Sequence, residues 1–341
     1  GDELDGPRGR IYLIKQVLEG ATPTAKTQLH LDRCLTCRAC ETTCPTGVQY
    51  GRLVDIGRHL VESRVPRGLL ASAWRRALNA VIPQPALFRS LLFMGRLMLV
   101  LDGCVQPALS PATNAAAARV LDRLGISLVR APSAGCCGGV SFHLNRQEAA
   151  LDTMRRLIDA WWPYVEQGAE AIVITASGCG VTVKEYGHLL RHDPAYAAKA
   201  ARVSELAKDV SEVITDESAK LKSLLSPLSS RLSGQRVAFH APCTLQDGLK
   251  LQGKVETLLA ELGYSLTDVP EAHLCCGSAG TYSILQPELS RRLRDNKIAA
   301  LTGGAPSAIL TANIGCQAHL QGATVLPVRH WIEALDERIS D

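Results

Sequence analysis

The sequence contains no apolar stretch long enough to cross a membrane. Its most apolar run covers residues 91–101 and includes Arg96, whereas a membrane-spanning helix needs ~20 predominantly apolar residues. An excess of one charge is also missing, since 37 Lys and Arg against 33 Asp and Glu give a net charge of +4 with the signs interspersed. This balance argues against nucleic-acid binding, which needs a dense basic face. With 46% apolar residues, the 341 residues suffice for two or three domains with buried cores.

Several fingerprints of cofactor and catalytic sites are absent as well. The sequence has no G-x-G-x-x-G, no G-x4-G-K-[ST], no G-x-S-x-G and no H-E-x-x-H. If a small organic substrate is oxidised, we therefore expect the cofactor that oxidises it on another subunit. The N-terminus shows no signal peptide, and because Gly1 stands where an initiator Met belongs, we expect a longer protein.

The sequence does have twelve cysteines, and their spacing is typical of metal ligands. The first four form a C-x2-C-x2-C-x3-C-P run: Cys34, Cys37, Cys40 and Cys44, followed by Pro45. In bacterial ferredoxins with this run, three thiolates bind one cubane cluster and the fourth binds a neighbouring one. Zinc is the alternative, although it ordinarily uses two C-x2-C pairs set well apart. No second run occurs, so either one precedes Gly1 or a single cluster is completed by Cys44 or an outside ligand.

From about residue 98 the sequence repeats itself. The first copy predicts strands at 98–101, 126–129 and 172–175 and helices at 114–124 and 147–161. The second copy predicts strands at 237–239, 265–269 and 308–311 and helices at 254–262 and 288–301. The repeated cysteines are Cys104, Cys136, Cys137 and Cys179 in the first copy, and Cys243, Cys275, Cys276 and Cys316 in the second. In both copies 31 residues separate the first cysteine from the Cys-Cys pair, which chance does not produce.

Strands that alternate with helices predict βαβ units and parallel sheets, with every cysteine just beyond the carboxyl end of a strand. Cysteines that are remote in sequence are then expected to meet at one edge. The glycine after each pair, Gly138 or Gly277, lets the backbone approach a cofactor closely. This pattern favours metal or cluster ligation in at least one copy, and the alternative is that these cysteines are small buried apolar residues.

Four histidines lie near the repeated cysteines: His143, His240, His273 and His319. Each is a weak signal by itself. His319 follows Cys316 by three residues and has the spacing of an imidazole ligand, but a surface or hydrogen-bonded role is the commoner fate of such a histidine.

These motifs resemble those of a family of iron–sulfur subunits, glycolate oxidase subunits among them, that join a two-cluster ferredoxin domain to paired cysteine-rich CCG domains. The resemblance covers nearly the whole chain. It rests on these segments: Gly1-Asp-Glu-Leu-Asp-Gly-Pro-Arg-Gly-Arg10, His30-Leu-Asp-Arg-Cys34-Leu-Thr-Cys37, Thr175-Ala-Ser-Gly-Cys179-Gly, His273-Leu-Cys-Cys-Gly-Ser-Ala-Gly280, Thr311-Ala-Asn-Ile-Gly-Cys316 and Val328-Arg-His-Trp331.

The resemblance implies an α-helical ferredoxin-like N-terminal part followed by two repeated α/β CCG domains with βαβ units and parallel sheets. The expected division is residues 1–65 for part of the [4Fe-4S] ferredoxin domain, with helices at 11–18 and 54–61, and 66–96 for a linker that contains one or two helices. Residues 97–193 form the first repeat, 194–234 a helical insert and linker, and 235–341 the second repeat.

The resemblance also implies a function in electron transfer. A flavin subunit would oxidise a 2-hydroxy acid, glycolate foremost, and this chain would pass the electrons toward a membrane quinone through two [4Fe-4S] clusters. Cys34, Cys37 and Cys40 would hold one cluster and Cys44 would complete the other, with a further cluster or metal at the CCG cysteines. The expected location is cytoplasmic and peripheral, at the inner face of the inner membrane, with no nucleic-acid partner.

Two other functions stay open on the residues alone. In one, the CCG cysteines hold a catalytic cluster for thiol or disulfide reduction, as in heterodisulfide reductase; related subunits also serve glycerol-3-phosphate and lactate oxidation. In the other, zinc stabilises a scaffold that binds partners without redox chemistry.

Overall fold

Helices dominate the part of the chain that the structure describes, and short parallel strands form two small sheets in it. The computed structural model describes residues 2–81, 103–225 and 234–340. The predicted strand at 98–101 lies outside these residues. No helix in the described part of the chain combines the length and the apolar character that crossing a bilayer requires.

Within residues 2–81, a short 3-10 helix (Glu3–Asp5) precedes five α-helices: α1 (Pro7–Leu18), α2 (Ala25–Asp32), α3 (Ala39–Thr42), α4 (Tyr50–Arg64) and α5 (Leu69–Val81). Thr24 caps α2 through a reciprocal side-chain and backbone pair with Thr27. Helices α1 and α4 cross closely at Gly57, where an added Cβ would lie 2.5 Å from Ile14 Cγ1. The packed helices hold the Cys34–Cys44 segment between α2 and α4. Helix α5 occupies part of the predicted linker.

In the described residues of the first repeat, helices come first and two strands pair in parallel. Its helices are α6 (Gln106–Leu109), α7 (Ala112–Arg123), α8 (Gly139–His143), α9 (Gln147–Glu166), α10 (Ser177–Lys184) and α11 (Tyr186–Leu189). The sheet pairs β1 (Ile172–Ile174) with β2 (Ala207–Asp209) in parallel. The strand predicted at 126–129 is wrong: these residues have no regular structure, and Leu128 and Val129 are 40% and 66% exposed instead of buried in a sheet.

The segment predicted as a helical insert contains more than helices. Helices α12 (Ala197–Leu206), α13 (Val210–Asp216) and α14 (Ser218–Leu225) lie there as predicted, but β2 stands between the first two of them. Because β2 pairs with β1, the prediction of helices alone is corrected: the segment supplies an outer strand to the sheet of the first repeat.

The second repeat contains a four-stranded parallel sheet in the order β4-β3-β5-β6. Its strands are β3 (Arg236–His240), β4 (Ser265–Leu266), β5 (Ala308–Thr311) and β6 (Val328–His330). Its helices are α15 (Lys254–Glu261), α16 (Tyr282–Leu285), α17 (Pro287–Thr302), α18 (Ile314–Gln321) and α19 (Trp331–Ser340), and a π-helical turn covers Thr244–Gly248.

Strands β1, β3 and β5 each deliver a cysteine close to their carboxyl ends, namely Cys179, Cys243 and Cys316. The Cys-Cys pairs do not follow this rule. Cys136 and Cys137 have no strand before them in residues 103–135, and Cys275 lies nine residues after β4 ends. The prediction that every cysteine follows a strand is therefore corrected for the pairs, which loops carry instead.

The two repeats share a hydrophobic core, because a helix from each repeat packs on a helix of the other. Helix α19, at the end of the second repeat, packs on α7 of the first, and α13 of the first packs on α15 of the second. Trp331, at the start of α19, is fully buried in this shared core. Arg119 Nε also donates to Asp336 Oδ2 at 2.9 Å across the junction. This exchange fixes the cysteine-bearing edges of the two repeats relative to each other.

Candidate metal centres

The first candidate centre is the loop between α2 and α4, which carries Cys34, Cys37 and Cys40. Thr36 and Arg38, the residues between these cysteines, have φ values of 53° and 60°, in the left-handed region that non-glycine residues rarely adopt. Cys37 and Cys40 both lie within electrostatic reach of Cys34. The Thr36 N–H donates to Cys34 Sγ at 3.4 Å. Strained backbone of this kind clusters at functional sites.

Burial governs the ionisation of these thiols. It raises the pKa of Cys37 to about 12 and that of Cys40 to about 11, and the neighbouring thiols act in the same direction. Several thiolates crowded in a buried place need a cation to stabilise them, so metal binding here is coupled to proton release. Three converging thiols at C-x2-C-x2-C spacing fit the donor set of a [4Fe-4S] cluster.

Cys44, the fourth cysteine of the run, lies in a different environment. Its Sγ is 3.2 Å from Thr46 Oγ1. Hydrogen bonds from Thr46 and from the backbone of Val48 lower the pKa of this thiol. These neighbours belong to the chain just after Cys44, and the structure does not bring Cys44 into the group formed by the first three cysteines. A half-buried thiol with a lowered pKa is suited to reach a second centre.

A buried arginine ties the first loop to the helices. The Arg58 guanidinium, on α4, donates to the carbonyl oxygen of Leu31 at 2.9 and 3.1 Å and to that of Cys34 at 2.7 Å. Tyr50, also on α4, points its hydroxyl at Cys34 Sγ from 3.8 Å. Helix α4 therefore holds the end of α2 and the first cysteine in place.

We expect Arg58→Met to lower the free energy of unfolding by about 1.5 to 3 kcal/mol, because hydrogen bonds to charged groups contribute that much and the two carbonyl oxygens lose their donor. Urea unfolding of the full chain measures the change. Arg76→Met is the matched control, since Arg76 is exposed and its hydrogen bond among the described residues is to Ser72 O of its own helix. An equal loss in both variants would contradict a specific role for Arg58.

In the first repeat, all four predicted cysteines come together. The thiol of Cys136 contacts those of Cys104 and Cys137, and these hydrogen bonds raise the pKa of Cys136. Cys137 also contacts Cys179, and hydrogen bonds from both neighbours lower the pKa of Cys137. The Gly138 N–H donates to Cys136 Sγ at 3.4 Å. The four thiols neighbour one another in a chain, in which Cys104, Cys136 and Cys137 are buried and Cys179 is half-buried.

The second repeat reproduces this arrangement. Cys243 Sγ lies 3.8 Å from Cys275 Sγ, Cys275 contacts Cys276, and Cys276 contacts Cys316. The Gly277 N–H donates to Cys275 Sγ at 3.3 Å, as its counterpart does in the first repeat. Residues that the chain separates by more than 70 positions thus supply one group of four thiols.

A cavity of about 1350 Å³ lies where the N-terminal part meets both repeats. Cysteines from all three parts line it: Cys34, Cys104, Cys137, Cys179, Cys243, Cys275 and Cys316. Cys37 is within electrostatic reach of both Cys275 and Cys243. The loop is also anchored to both repeats, by an Arg38 to Glu185 ion pair at 3.1 Å and a Thr42 to Asp247 hydrogen bond at 2.8 Å. The first centre therefore adjoins the thiols of the second repeat.

The positions of the four histidines differ from those that their spacing from the cysteines in the sequence suggests. His319 Nε2 bonds to Ser290 Oγ at 3.1 Å, the hydrogen-bonded role expected as the commoner one. His273 is exposed, and His143 Nδ1 lies 3.8 Å from Asp55 Oδ1. His240 is the histidine that sequence reasoning undervalued: it lies with Cys276 and Cys316 in a buried group of possible metal ligands. Its position as the last residue of a buried strand, three residues before Cys243, was the available signal.

Comparison with known proteins defines the class first. The family profile of the cysteine-rich CCG domain matches residues 98–184 and again 237–321, which are the two repeats. The glycolate oxidase iron-sulfur subunit of Escherichia coli (strain K12) is 54% identical over 99% of this chain and 89% of its own length. The probable glycolate oxidase iron-sulfur subunit of Bacillus subtilis (strain 168) is 28% identical over 92% of this chain and 82% of its own.

A more distant relative shares only part of the chain. Lactate utilization protein A of Bacillus licheniformis is 25% identical over 69% of this chain and 97% of its own length. The identity and coverage of the first relative decide the assignment. This chain belongs to the family of glycolate oxidase iron-sulfur subunits, with two cysteine-rich CCG domains.

Proposed function

We propose that this chain is the electron-transfer subunit of a flavin-dependent 2-hydroxy-acid dehydrogenase complex, with glycolate as the substrate of the flavin subunit and a membrane quinone as the acceptor. The observation that carries the proposal is the convergence of Cys34, Cys37 and Cys40 on one strained loop beside the thiols of the second repeat. The names of the relatives, glycolate oxidase iron-sulfur subunits, support the same reading.

In this proposal Cys34, Cys37 and Cys40 ligate a [4Fe-4S] cluster, and Cys44 ligates a second one. Such a cluster supplies a one-electron carrier, whose potential depends on hydrogen bonds to its sulfurs and on solvent exposure. The Thr36 N–H, which donates to Cys34 Sγ, is one such hydrogen bond. The CCG cysteines are proposed to supply the ligands of a further metal or cluster, because the thiols within each group of four neighbour one another.

Residues around the cysteines hold the proposed cluster site in place. Arg58 fixes the backbone of Cys34 through its hydrogen bond to the carbonyl oxygen of that residue. The ion pair of Arg38 with Glu185 holds the loop against the first repeat. Together these contacts keep the cysteine groups at fixed separations, as electron transfer between centres requires.

We further propose that the chain works on the cytoplasmic side of the inner membrane, where a quinone is accessible. Support comes from α5, whose Leu69 and Leu70 side chains are 86% and 88% exposed and lie near Trp74 and Arg76 on the same helix. Apolar side chains mixed with arginines on an amphipathic helix suit the interface of an anionic bilayer.

Anaerobic reconstitution of the full-length chain with its flavin subunit tests the proposed function. Addition of glycolate should bleach the visible absorbance of this chain, whereas glycolate without the flavin subunit should leave it unchanged. Dithionite, a chemical reductant, should bleach it in both cases and so confirms that clusters are present. If glycolate reduces the flavin but the absorbance of this chain does not change, the proposed electron path is wrong.

A further inference from the structure

The second repeat contains a buried histidine with an unused ring nitrogen. His240 ends strand β3 and is 2% exposed. Its Nδ1 bonds to Thr311 Oγ1 at 3.0 Å, whereas its Nε2 is buried without any hydrogen-bond partner. An unpartnered polar atom inside a protein is unfavourable, and a ligand at this position would supply the missing partner.

The ring lies beside two thiols. One ligand atom each from His240, Cys276 and Cys316 lies within 4.8 Å of the other two, and all three residues are buried. Because Thr311 occupies Nδ1, the atom left for a ligand is Nε2. Metal-binding histidines usually have this arrangement, with one nitrogen on the metal and the other held by a hydrogen-bond partner that sets the ring orientation.

The first repeat lacks this feature, although its thiols are arranged in the same way. Three residues before Cys104, where the second repeat has His240, the sequence has Leu101. Thr175, the counterpart of Thr311, bonds to Asn114 Oδ1 at 2.6 Å and accepts from Gln106 Nε2 at 2.7 Å instead of orienting an imidazole. The histidine thus distinguishes the second repeat from the first.

The donor geometry favours a single ion. Two thiolates on one tetrahedral zinc, each at about 2.3 Å, are about 3.8 Å apart, and an imidazole nitrogen at about 2.0 Å is closer still. Three ligand atoms within 4.8 Å of one another need little movement to reach those distances. In a four-iron cube, by contrast, each thiolate binds a different iron, so the cube holds the ligand sulfurs apart.

We propose that His240, Cys276 and Cys316 bind a divalent metal ion of the zinc type in the second repeat, with Nε2 as the nitrogen ligand. Cys275, whose thiol contacts that of Cys276, fills the fourth tetrahedral position. Zinc has no redox chemistry, so this ion braces the sheet edge next to Cys37 and carries no electrons. The proposal does not depend on the electron-transfer function.

Zinc content and zinc ligation of the full-length chain, purified without oxygen, test the proposal. We expect one tightly bound zinc per chain, and X-ray absorption at the zinc edge should show one nitrogen among sulfur neighbours. His240→Gln should weaken zinc binding at least tenfold in competition with a chelator and remove the nitrogen signal. His319→Gln is the matched control in the same repeat and should bind zinc as the wild type does.

A second variant keeps the test decisive if His240→Gln does not fold. Thr311→Val keeps the side-chain volume and removes only the partner of Nδ1, so zinc affinity should fall by about tenfold, the lower end of the 10- to 100-fold range for outer-shell partners. The proposal is overturned if the wild type binds no zinc, if an iron–sulfur cluster occupies these ligands, or if His240→Gln and Thr311→Val bind zinc with wild-type affinity. Because zinc is measured directly, none of these outcomes depends on iron content or on reduction by glycolate.

Discussion

Cys37→Ser should cost the full-length protein one [4Fe-4S] cluster, because Cys37 is the central thiol of the loop and its hydroxyl replacement is a poor ligand for iron. Iron and acid-labile sulfide should fall together by the content of one cluster. Glycolate-dependent reduction of an acceptor by the assembled complex should fall to background, since the missing carrier lies beside the second repeat.

Thr36→Ser is the control for this variant. Serine retains the hydroxyl that Thr36 donates to Leu35 O, and the N–H that points at Cys34 stays in place. This variant should keep its iron and its activity. Wild-type iron content in Cys37→Ser would mean that the thiol is not a ligand, and an equal loss in Thr36→Ser would mean that the loop tolerates no change at all.

Gly277→Ala should lower the free energy of unfolding by about 2 to 5 kcal/mol. The residue has φ of 85°, and an added Cβ would lie 2.5 Å from the carbonyl oxygen of Ser290 on α17. The left-handed backbone costs about 1 to 2 kcal/mol for a residue with a Cβ, and the overpacking adds about 1 to 3 kcal/mol. Denaturant unfolding of the whole chain measures the sum.

Gly253→Ala separates the two contributions. Gly253 has φ of 79°, but nothing lies within 4 Å of an added Cβ there, so only the backbone cost of about 1 to 2 kcal/mol applies. The difference in unfolding free energy between the two variants measures the cost of the contact with α17. If both lose the same stability, the close approach of the Cys-Cys-Gly turn to that helix has no energetic consequence.

The duplication was predictable from the sequence because it depends on fixed spacing. Equal separation of Cys104 from Cys136 and of Cys243 from Cys275 predicts the same fold twice, and the structure places four thiols together in each copy. The long helices were also predictable, since α9 and α17 have apolar faces at helical spacing. Helix α17 ends within one residue of its predicted bounds, and α9 is about one turn longer than predicted.

The predictions that were wrong concern features that depend on tertiary contacts. The apolar run at 126–129 suggests a strand, but the sheet does not bury Leu128 and Val129, and short apolar runs do not specify a strand by themselves. Strand β2 was missed because its sequence, Ala-Lys-Asp, has no strand pattern and forms by pairing with β1. The exchange of helices between repeats leaves no local signal.

The position of His240 illustrates the same limit for the site. A single histidine has no spacing partner in sequence, and only the pairing of β3 with β5 brings it to Thr311. His319 had the better sequence spacing, three residues after Cys316, yet its ring is held by Ser290. The spacing of residues in the sequence identifies ligands that lie on a single loop or helical turn. It does not identify ligands that parallel strands bring together from distant parts of the chain.

Iron and acid-labile sulfide analysis with Mössbauer spectroscopy, on the full-length chain purified without oxygen, tests the central claim most directly: that Cys34, Cys37 and Cys40 hold an iron–sulfur cluster. We expect equal amounts of iron and sulfide and the spectrum of [4Fe-4S] centres, with one such centre lost in Cys37→Ser. A folded chain that contains zinc but neither iron nor sulfide, with an unchanged metal content in Cys37→Ser, would contradict it.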